Sequence, residues 1–255
     1  MSSNTLVKSF RQRLQAGEVL LSTLVSFPSP EVVELLSKLD FDWLFIDGEH
    51  GPFGALEMQR MLQAAGNDCP CLIRVPSNDL VYIKQALDIG AAGIIVPQIN
   101  NAQEAQVAVS AAKYPTQGNR GVGLARAHEY GLSFSEYLAN ADHDTCVVIQ
   151  AETKGAIEQI EDIVAIEGVD AILIGPYDLS ANLGYTGEID HPEVVNAIAK
   201  VEHACKQANI KLGYFGVNAE SVLPYKEKGF TLLTIGVDSL FILNAAQLML
   251  EDMKS

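Results

Sequence analysis

The sequence predicts a (β/α)8 TIM barrel, a single domain spanning residues 1–255. Three observations predict it. Short, continuously apolar runs alternate with longer amphipathic segments, and eight such pairs can be traced. The runs are apolar on both faces, as strands of a buried parallel sheet must be. The length, 255 residues, is that of one closed barrel. An open doubly wound sheet is the alternative, but it usually carries a Gly-rich phosphate loop after its first strand, and Val19 to Pro30 has none.

The first run is Val19 to Val25. Ser29-Pro30-Glu31 opens the helix after it, with Ser29 as N-cap and Pro30 in the first turn, and Val32, Val33, Leu35, Leu36 and Leu39 as its apolar positions. Trp43-Leu44-Phe45-Ile46 is the second run, followed by a helix from about Leu56 to Ala65. Cys71 to Val75 is the third, with a helix from Asn78 or Asp79 to about Ile89. Gly93-Ile94-Ile95-Val96 is the fourth, with a helix over Asn101 to Lys113. Cys146 to Ile149 is the fifth, with a helix ending near Val164. Ala171 to Ile174 is the sixth, and its main helix comes later, opened by Asp190-His191-Pro192-Glu193. Leu212 to Phe215 and Thr231 to Ile235 complete the set, and a last helix runs from about Asp238 to Met253.

Two segments break this rhythm. Tyr114 to Leu132 is a long connection holding Arg120-Gly121-Val122-Gly123 and Arg126-Ala127-His128. A connection of that length in a compact domain is usually functional or mobile. The last helix carries Leu240, Phe241, Ile242, Leu243, Ala245, Ala246, Leu248, Met249 and Leu250. These go most of the way round a helix, more than one barrel face can bury, and so predict a subunit interface.

The net charge of -15 argues against a nucleic-acid partner, which requires a basic face. It does not argue against a small anionic substrate, because a metal and one Arg can reverse the local field. Met1 to Leu14 lacks the apolar stretch of a secretory signal. No run reaches the ~18 apolar residues of a membrane span. The expected location is cytoplasmic, with no membrane partner. Cys69, Cys71, Cys146 and Cys205 suit neither a zinc ribbon nor a redox pair and are expected as buried or semi-buried free thiols.

In this fold the active site lies at the C-terminal ends of the strands. After the second run comes Asp47-Gly48-Glu49-His50-Gly51, and Arg74 stands at the end of the third. Pro97 and Gln98 follow the fourth, Gln150 and Glu152 the fifth, and Gly175-Pro176-Tyr177-Asp178 the sixth. Gly216 follows the seventh, and Gly236 and Asp238 the eighth. The opposite ends carry Glu18, Asp42, Asp170 and Lys211, single charges expected to face solvent.

Glu152 and Asp178 follow neighbouring strands and can share one hard divalent cation, leaving positions for water and substrate. The other reading is that Asp178 or Ser180 caps a short helix and Glu152 belongs to the next first turn. His50 lies three residues beyond Asp47, and a carboxylate near an imidazole suits it to general acid–base work. A hydrogen-bonded loop histidine is the other reading. His143, His191 and His203 read as structural, and His128 stays open. Arg74 can hold a carboxylate or a developing oxyanion, or pair with Glu49 or Asp47, and both can hold at once. No Lys lies within a run to form a Schiff base, with Lys154 in a helix's opening turn the possible exception. A metal is the other way to stabilise an enolate.

These residues resemble the metal-dependent 2-oxo acid aldolases of the HpcH/HpaI type. The motifs that carry the resemblance are Phe41-Asp42-Trp43 through Asp47-Gly48-Glu49-His50, Arg74-Val75-Pro76, Ile83-Lys84 through Asp88-Ile89-Gly90, and Tyr114-Pro115 through Arg120-Gly121-Val122-Gly123. Gln150-Ala151-Glu152, Gly168-Val169-Asp170 through Gly175-Pro176-Tyr177-Asp178-Leu179-Ser180, and Gly236-Val237-Asp238 continue it over nearly the whole chain. The resemblance implies that Glu152 and Asp178 hold magnesium, manganese or cobalt. It implies that Arg74 steadies the oxygen that becomes the enolate, and that His50, paired with Asp47, is the base. Gln150 would sit near the bound 2-oxo acid, and Gly175, Pro176, Tyr177 and Asp178 would line its carboxylate. It further implies a homo-oligomer, a trimer of dimers, with the last helix exchanged between subunits. The chain departs from the usual pattern at Gly51-Pro52-Phe53, where Ala-Pro-Asn is common, at Ala151 and in Leu124 to His128, which leaves the aldehyde open.

The reaction so implied is reversible cleavage of a 4-hydroxy-2-oxo acid to pyruvate and an aldehyde. Two rivals are a carbon–carbon lyase acting on a citryl- or malyl-CoA type thioester, and a non-catalytic barrel that binds a small acid. The first should offer a Lys/Arg cluster to a nucleotide, and none stands out.

Overall fold

Strand pairing is parallel throughout and returns to its start. β1 (Leu20–Val25), β2 (Trp43–Asp47), β3 (Cys71–Arg74), β4 (Gly93–Val96), β5 (Cys146–Ala151), β6 (Ala171–Ile174), β7 (Lys211–Gly216) and β8 (Leu232–Val237) form a closed barrel in sequence order. β8 closes on β1 with Leu20 opposite Leu232. The computed structural model describes residues 8–254. The part of the leader expectation that concerns Met1 to Val7 lies outside the described residues.

Around the barrel run α1 (Phe10–Gln15), α2 (Pro30–Ser37), α3 (Ala55–Ala65), α4 (Leu80–Asp88), α5 (Ala102–Ala112), α6 (Phe134–Asp144), α7 (Lys154–Glu158), α8 (Ile160–Val164), α9 (Pro176–Asn182), α10 (Pro192–Ala208), α11 (Ala219–Glu227) and α12 (Asp238–Lys254). Most helices that follow a strand begin on a side-chain cap, which satisfies one otherwise orphaned backbone N–H. Ser29, Asp79, Asn101, Thr153 and Asn218 each accept from the first turn. His191 does the same for α10 and stacks on Tyr185 at 3.5 Å, a structural role.

The strand period of two divides the core. Leu44, Ile46, Ile73, Val96, Val147, Ile149 and Ile172 face the helices. Leu20, Leu24, Trp43, Phe45, Leu72, Ile95, Val148 and Leu173 fill the barrel. Continued one step toward the C-terminal end, the inward set becomes Asp47, Arg74, Gln150 and Gly175. The rim chemistry is thus the last layer of the interior, where side chains no longer need to be apolar. Gly93 lets β4 approach β5, since a Cβ there would strike the Cys146 carbonyl.

At the N-terminal end the structure corrects the sequence reading. Asp170 is buried and accepts from Arg11 Nε at 2.7 Å and from the Val147 N–H at 2.9 Å. Arg13 bridges Asp42 at 2.6 Å and Glu18 at 2.8 Å. Three of the charges expected to face solvent therefore tie α1 across the barrel floor. The sequence reading does not include α1, whose Ser9 and Gln12 form a capping box. Its Phe10 and Leu14 plug the floor, with Phe10 5.7 Å from the Trp43 ring.

The long connection, Tyr114 to Leu132, has its own set of packing contacts. It packs at this same end, and α6 comes directly after it. Buried Arg120 donates to Asp88 at 2.8 Å and lies 4.6 Å over the Tyr114 ring. Arg126 donates to the Ile89 carbonyl at 2.8 Å. His128 is buried, with its Nε2 2.8 Å from the Gly123 carbonyl. The helix after β5 breaks at Gln159 into α7 and α8. In α12 only Asp238 is buried, and Leu243, Leu248, Met249 and Met253 are all more than half exposed. Cys69, Cys71, Cys146 and Cys205 are free and buried. No helix among the described residues is long and apolar enough to cross a membrane.

If the floor plug is structural, Phe10→Ala lowers stability by about 3 kcal/mol, a fall in Tm of roughly 6–12 °C. Circular dichroism melts measure it, and the folded fraction should keep its kcat.

Candidate active site

β2 and β3 place Asp47 directly opposite Arg74 in the sheet register. Both point inward, so their side chains meet. Arg74 Nε donates to Asp47 Oδ1 at 2.8 Å and Nη2 to Oδ2 at 2.7 Å, a two-pronged pair that a planar guanidinium makes and an ammonium cannot. Asp47 Oδ1 also takes the backbone N–H groups of Glu49 at 3.2 Å and His50 at 3.3 Å. The third guanidinium nitrogen, Nη1, lies 3.2 Å from Glu49 Oε2 and 3.5 Å from Gln150 Oε1. Burial works against the Arg74 charge, but the hydrogen bonds and charges of Asp47, with Glu49 and Glu152, outweigh it and hold its pKa above the ordinary value. Both partners foreseen for Arg74 are present.

The chain of contacts continues from Gln150, whose amide donates to Glu152 Oε2. The other oxygen of Glu152 accepts the Gln98 N–H at 2.7 Å and the Gln98 side-chain amide at 3.2 Å. Glu152 is fully buried. Burial is the main cause that pushes its carboxyl up to about 7, opposed by the Gln98 backbone hydrogen bond and helped by the charges of Asp178 and Glu49. Burial likewise raises Glu49, against the attraction of Arg74. Gly175 leaves room beside this carboxylate, since a Cβ there would lie 2.8 Å from Gln150 Nε2 and 3.1 Å from Glu152 Oε2 and push those side-chain ends aside.

Of these groups Asp47, Arg74, Gln150 and Gly175 border a pocket of about 300 Å³ at the C-terminal mouth. Leu24, Phe45, Leu173 and Phe215 form its apolar wall. Asp47, His50, Arg74, Gln150, Gly175, Pro176, Tyr177 and Asp178 supply the rest. Glu152 lies behind Gln150 and Gly175. Pro176 and Asp178 occupy the first turn of α9, which Gly175 precedes without a side-chain cap. Ser180 caps nothing there: its hydroxyl donates to the Tyr177 carbonyl at 2.7 Å and accepts the Gly187 N–H at 3.0 Å.

The structure places every sequence-expected site residue in the pocket lining except Glu152, which is buried and meets the lining residue Gln150, and it differs in one further contact. Asp47 meets His50 through the backbone N–H, and its carboxylate oxygens are engaged by Arg74 rather than by the imidazole. His50 itself is exposed at the pocket edge. The sequence places Gln98 after the fourth strand but does not reveal its hold on Glu152. The available signal is a polar residue directly after Pro97 at a strand's C-terminal end.

Among the described residues no group of three His, Cys, Asp or Glu side chains converges to hold an ion by itself. Glu152 and Asp178 nevertheless suit one. They are hard oxygen donors from neighbouring strands. Glu152 is buried with hydrogen bonds only from amides, and Asp178 has neither hydrogen bond nor ion pair among the described residues. Two under-compensated carboxylates match a cation that completes its shell with water and substrate.

The mouth of the barrel sets one fixed guanidinium among several carboxylates. The family described as HpcH/HpaI aldolase/citrate lyase matches residues 24–245, and the chain belongs to it. It is an enzyme, a carbon–carbon lyase. The chain is 39% identical over 242 residues to a 4-hydroxy-2-oxo-heptane-1,7-dioate aldolase of Shigella sonnei, covering 94% of this chain and 92% of that one. It is 37% identical over 242 residues to a hydroxypyruvate/pyruvate aldolase of Pseudomonas aeruginosa, covering 94% and 90%. The crystal structure of an HpcH/HpaI aldolase/citrate lyase family protein from Burkholderia cenocepacia superposes with a TM-score of 0.93 at 33% identity, over 96% of this chain and 98% of that one.

The raised Glu152 pKa has a sign that can be checked. A carboxyl whose folded pKa is above its unfolded value stabilises the fold below about 4.5 and loses that contribution as pH rises through about 7. Gln at this position does not titrate. In EDTA, the stability difference between Glu152→Gln and wild type should therefore shift toward the variant between pH 4.5 and 8, by about 3 kcal/mol. Urea denaturation at several pH values measures this, and a flat difference would mean an ordinary carboxyl.

Proposed function

We propose that the chain cleaves a 4-hydroxy-2-oxo acid reversibly to pyruvate and an aldehyde, with a divalent cation held by Glu152 and Asp178. The observation that carries this reading is the pair of under-compensated carboxylates beside a guanidinium that is locked in place. Magnesium, manganese and cobalt are the candidate ions. When bound, the ion supplies Lewis-acid stabilisation of the negative charge that develops on the 2-oxo group.

The remaining work falls to this chain's own side chains. Arg74, oriented by Asp47 and Glu49, offers a fixed donor to the same oxygen, so that little reorganisation is needed as charge appears. His50, at the open edge, takes the proton of the 4-hydroxyl. The C3–C4 bond then breaks, its electrons pass into the enolate, and protonation at C3 gives pyruvate. Gln150 and the first turn of α9 at Tyr177 and Asp178 orient the 2-oxo acid, with Gly175 and Pro176 shaping that wall. The apolar wall keeps bulk water from the enolate. A thioester lyase is less well supported, because Arg74 is the only cationic side chain among the pocket's lining residues and it is already paired.

The chain is proposed to act as one barrel domain, 1–255, in the cytoplasm, where its four buried thiols stay reduced. Its partners would be the 2-oxo acid and aldehyde alone, with no nucleic acid or membrane. The exposed apolar residues of α12 support a homo-oligomer, a trimer of dimers with α12 exchanged, because so much exposed apolar surface on one helix is unusual for a monomer.

Glu152→Ala and Asp178→Ala should each abolish Mn2+ binding and pyruvate release, with Arg74→Lys losing 10²-fold or more in kcat, on the order seen when an oxyanion donor is removed. Pyruvate release coupled to NADH oxidation reads this out, and full activity in EDTA would refute the metal reading. Light scattering should give a multiple of the 27.5 kDa chain mass at micromolar concentration. A monomer would count against an exchanged α12.

A further inference from the structure

The two oxygens of Glu152 are held by different parts of the barrel. Oε2 takes the Gln150 amide and faces Gly175. Oε1 takes both donors of Gln98, the backbone N–H at 2.7 Å and Nε2 at 3.2 Å. Gln98 is exposed and covers a carboxylate that is fully buried. Its φ is 58°, the left-handed region that non-glycine residues rarely adopt. That conformation aims the N–H at Glu152, and the neighbours hold it. The Gln98 carbonyl accepts from Asn100 Nδ2 at 2.9 Å, the Asn100 N–H donates to Glu104 Oε2 at 2.7 Å, and the Ile99 carbonyl accepts from Thr153 Oγ1 at 2.9 Å. The β4–α5 connection is thus tied to α5 on one side and to the start of α7 on the other.

We propose that Gln98 is a positioning residue: by engaging Oε1 with two donors from one residue, it fixes the Glu152 side chain so that Oε2 is presented to the divalent cation. The inference rests on the metal reading given above. Gln98 acts through Glu152 and has no part in the bond changes. Oε2 meets the Gln150 amide, a flexible side-chain end that the ion would displace, whereas Oε1 stays held by Gln98. A carboxylate fixed through that oxygen has fewer orientations to lose when the ion arrives, so the effect belongs to metal affinity first and to turnover second.

Gln98→Gly keeps the positive φ without strain and keeps the backbone N–H, but removes the amide. Gln98→Ala removes the amide and strains the backbone as well. Both are titrated with Mn2+ in the absence of substrate, by calorimetry or by the paramagnetic signal of free Mn2+, beside wild type and Glu152→Ala. Melting temperatures in EDTA are measured in parallel. Gln98→Gly should weaken Mn2+ binding about tenfold, and Gln98→Ala at least as much, with the Gln98→Gly melting temperature close to wild type. Saturating Mn2+ should restore most of its kcat. Wild-type Mn2+ affinity in both variants, or a loss that appears only in the melting temperature, overturns the proposal. Failure of wild type to bind Mn2+, or equal binding by Glu152→Ala, overturns the metal reading instead, and this inference with it.

Discussion

The mouth of this barrel depends on one buried ion pair, Asp47 with Arg74. Residues that face each other across parallel strands at an inward position have nowhere else to point. Their pairing satisfies two groups that would otherwise be buried with unmatched charge, and breaking such a pair costs about 3–5 kcal/mol. With the guanidinium fixed by Asp47, its remaining nitrogen is directed to Glu49 and Gln150. Gln150 in turn meets Glu152, which Gln98 of the β4–α5 connection holds from the other side. Orientation passes across the mouth along hydrogen bonds between side chains of neighbouring strands.

That network is also electrostatically unbalanced. Asp47, Glu49, Glu152 and Asp178 surround a single guanidinium. The imbalance appears as a carboxyl at Glu152 pushed up to about 7, chiefly by burial and then by its acidic neighbours. A fold selected for stability alone would replace such a carboxylate with an amide or an apolar group. Retaining it makes sense if something positive arrives, and a divalent ion both removes the repulsion and remains available to the substrate. The same imbalance reconciles a chain charge of -15 with the anionic substrate proposed above.

Much of this was legible in the sequence because the barrel's own periodicity writes it there. Trp43, Phe45 and Asp47 alternate inward, as do Leu72 and Arg74, and Val148 and Gln150, so the strand's end could be read as a rim. The cap at Ser29 and the helix starts near Asn101 and at Asp190-His191-Pro192 were legible for the same local reason. What was not legible is what depends on distant partners. α1 is short, and its Phe10 matters only because Trp43 stands above it. α6 buries only Ala141, too weak a pattern to show as a helix. Asp42 and Asp170 read as solvent charges because Arg11 and Arg13, which claim them, are 29 to 159 residues away. The carboxylate–imidazole pairing of Asp47 and His50 looked natural at a spacing of three, but Arg74 is the stronger competitor for the same oxygens.

The departure at Gly51-Pro52-Phe53 shows how a local change in such a mouth stays compatible with the rest. Phe53 folds back on Gly51, and a Cβ at 51 would strike both its ring and the Asp47 carbonyl. An alanine there, common in the family the chain resembles, does not fit with this Phe53 in place. Glycine at 51 admits the ring, and the ring packs against the outer core. The Gly51 N–H donates to the Asp47 carbonyl at 3.0 Å and closes the turn that carries His50. Variation of this kind can alter what the open end of the pocket accepts while leaving the ion pair beneath it untouched, because the turn's backbone, and not its side chains, anchors it to Asp47.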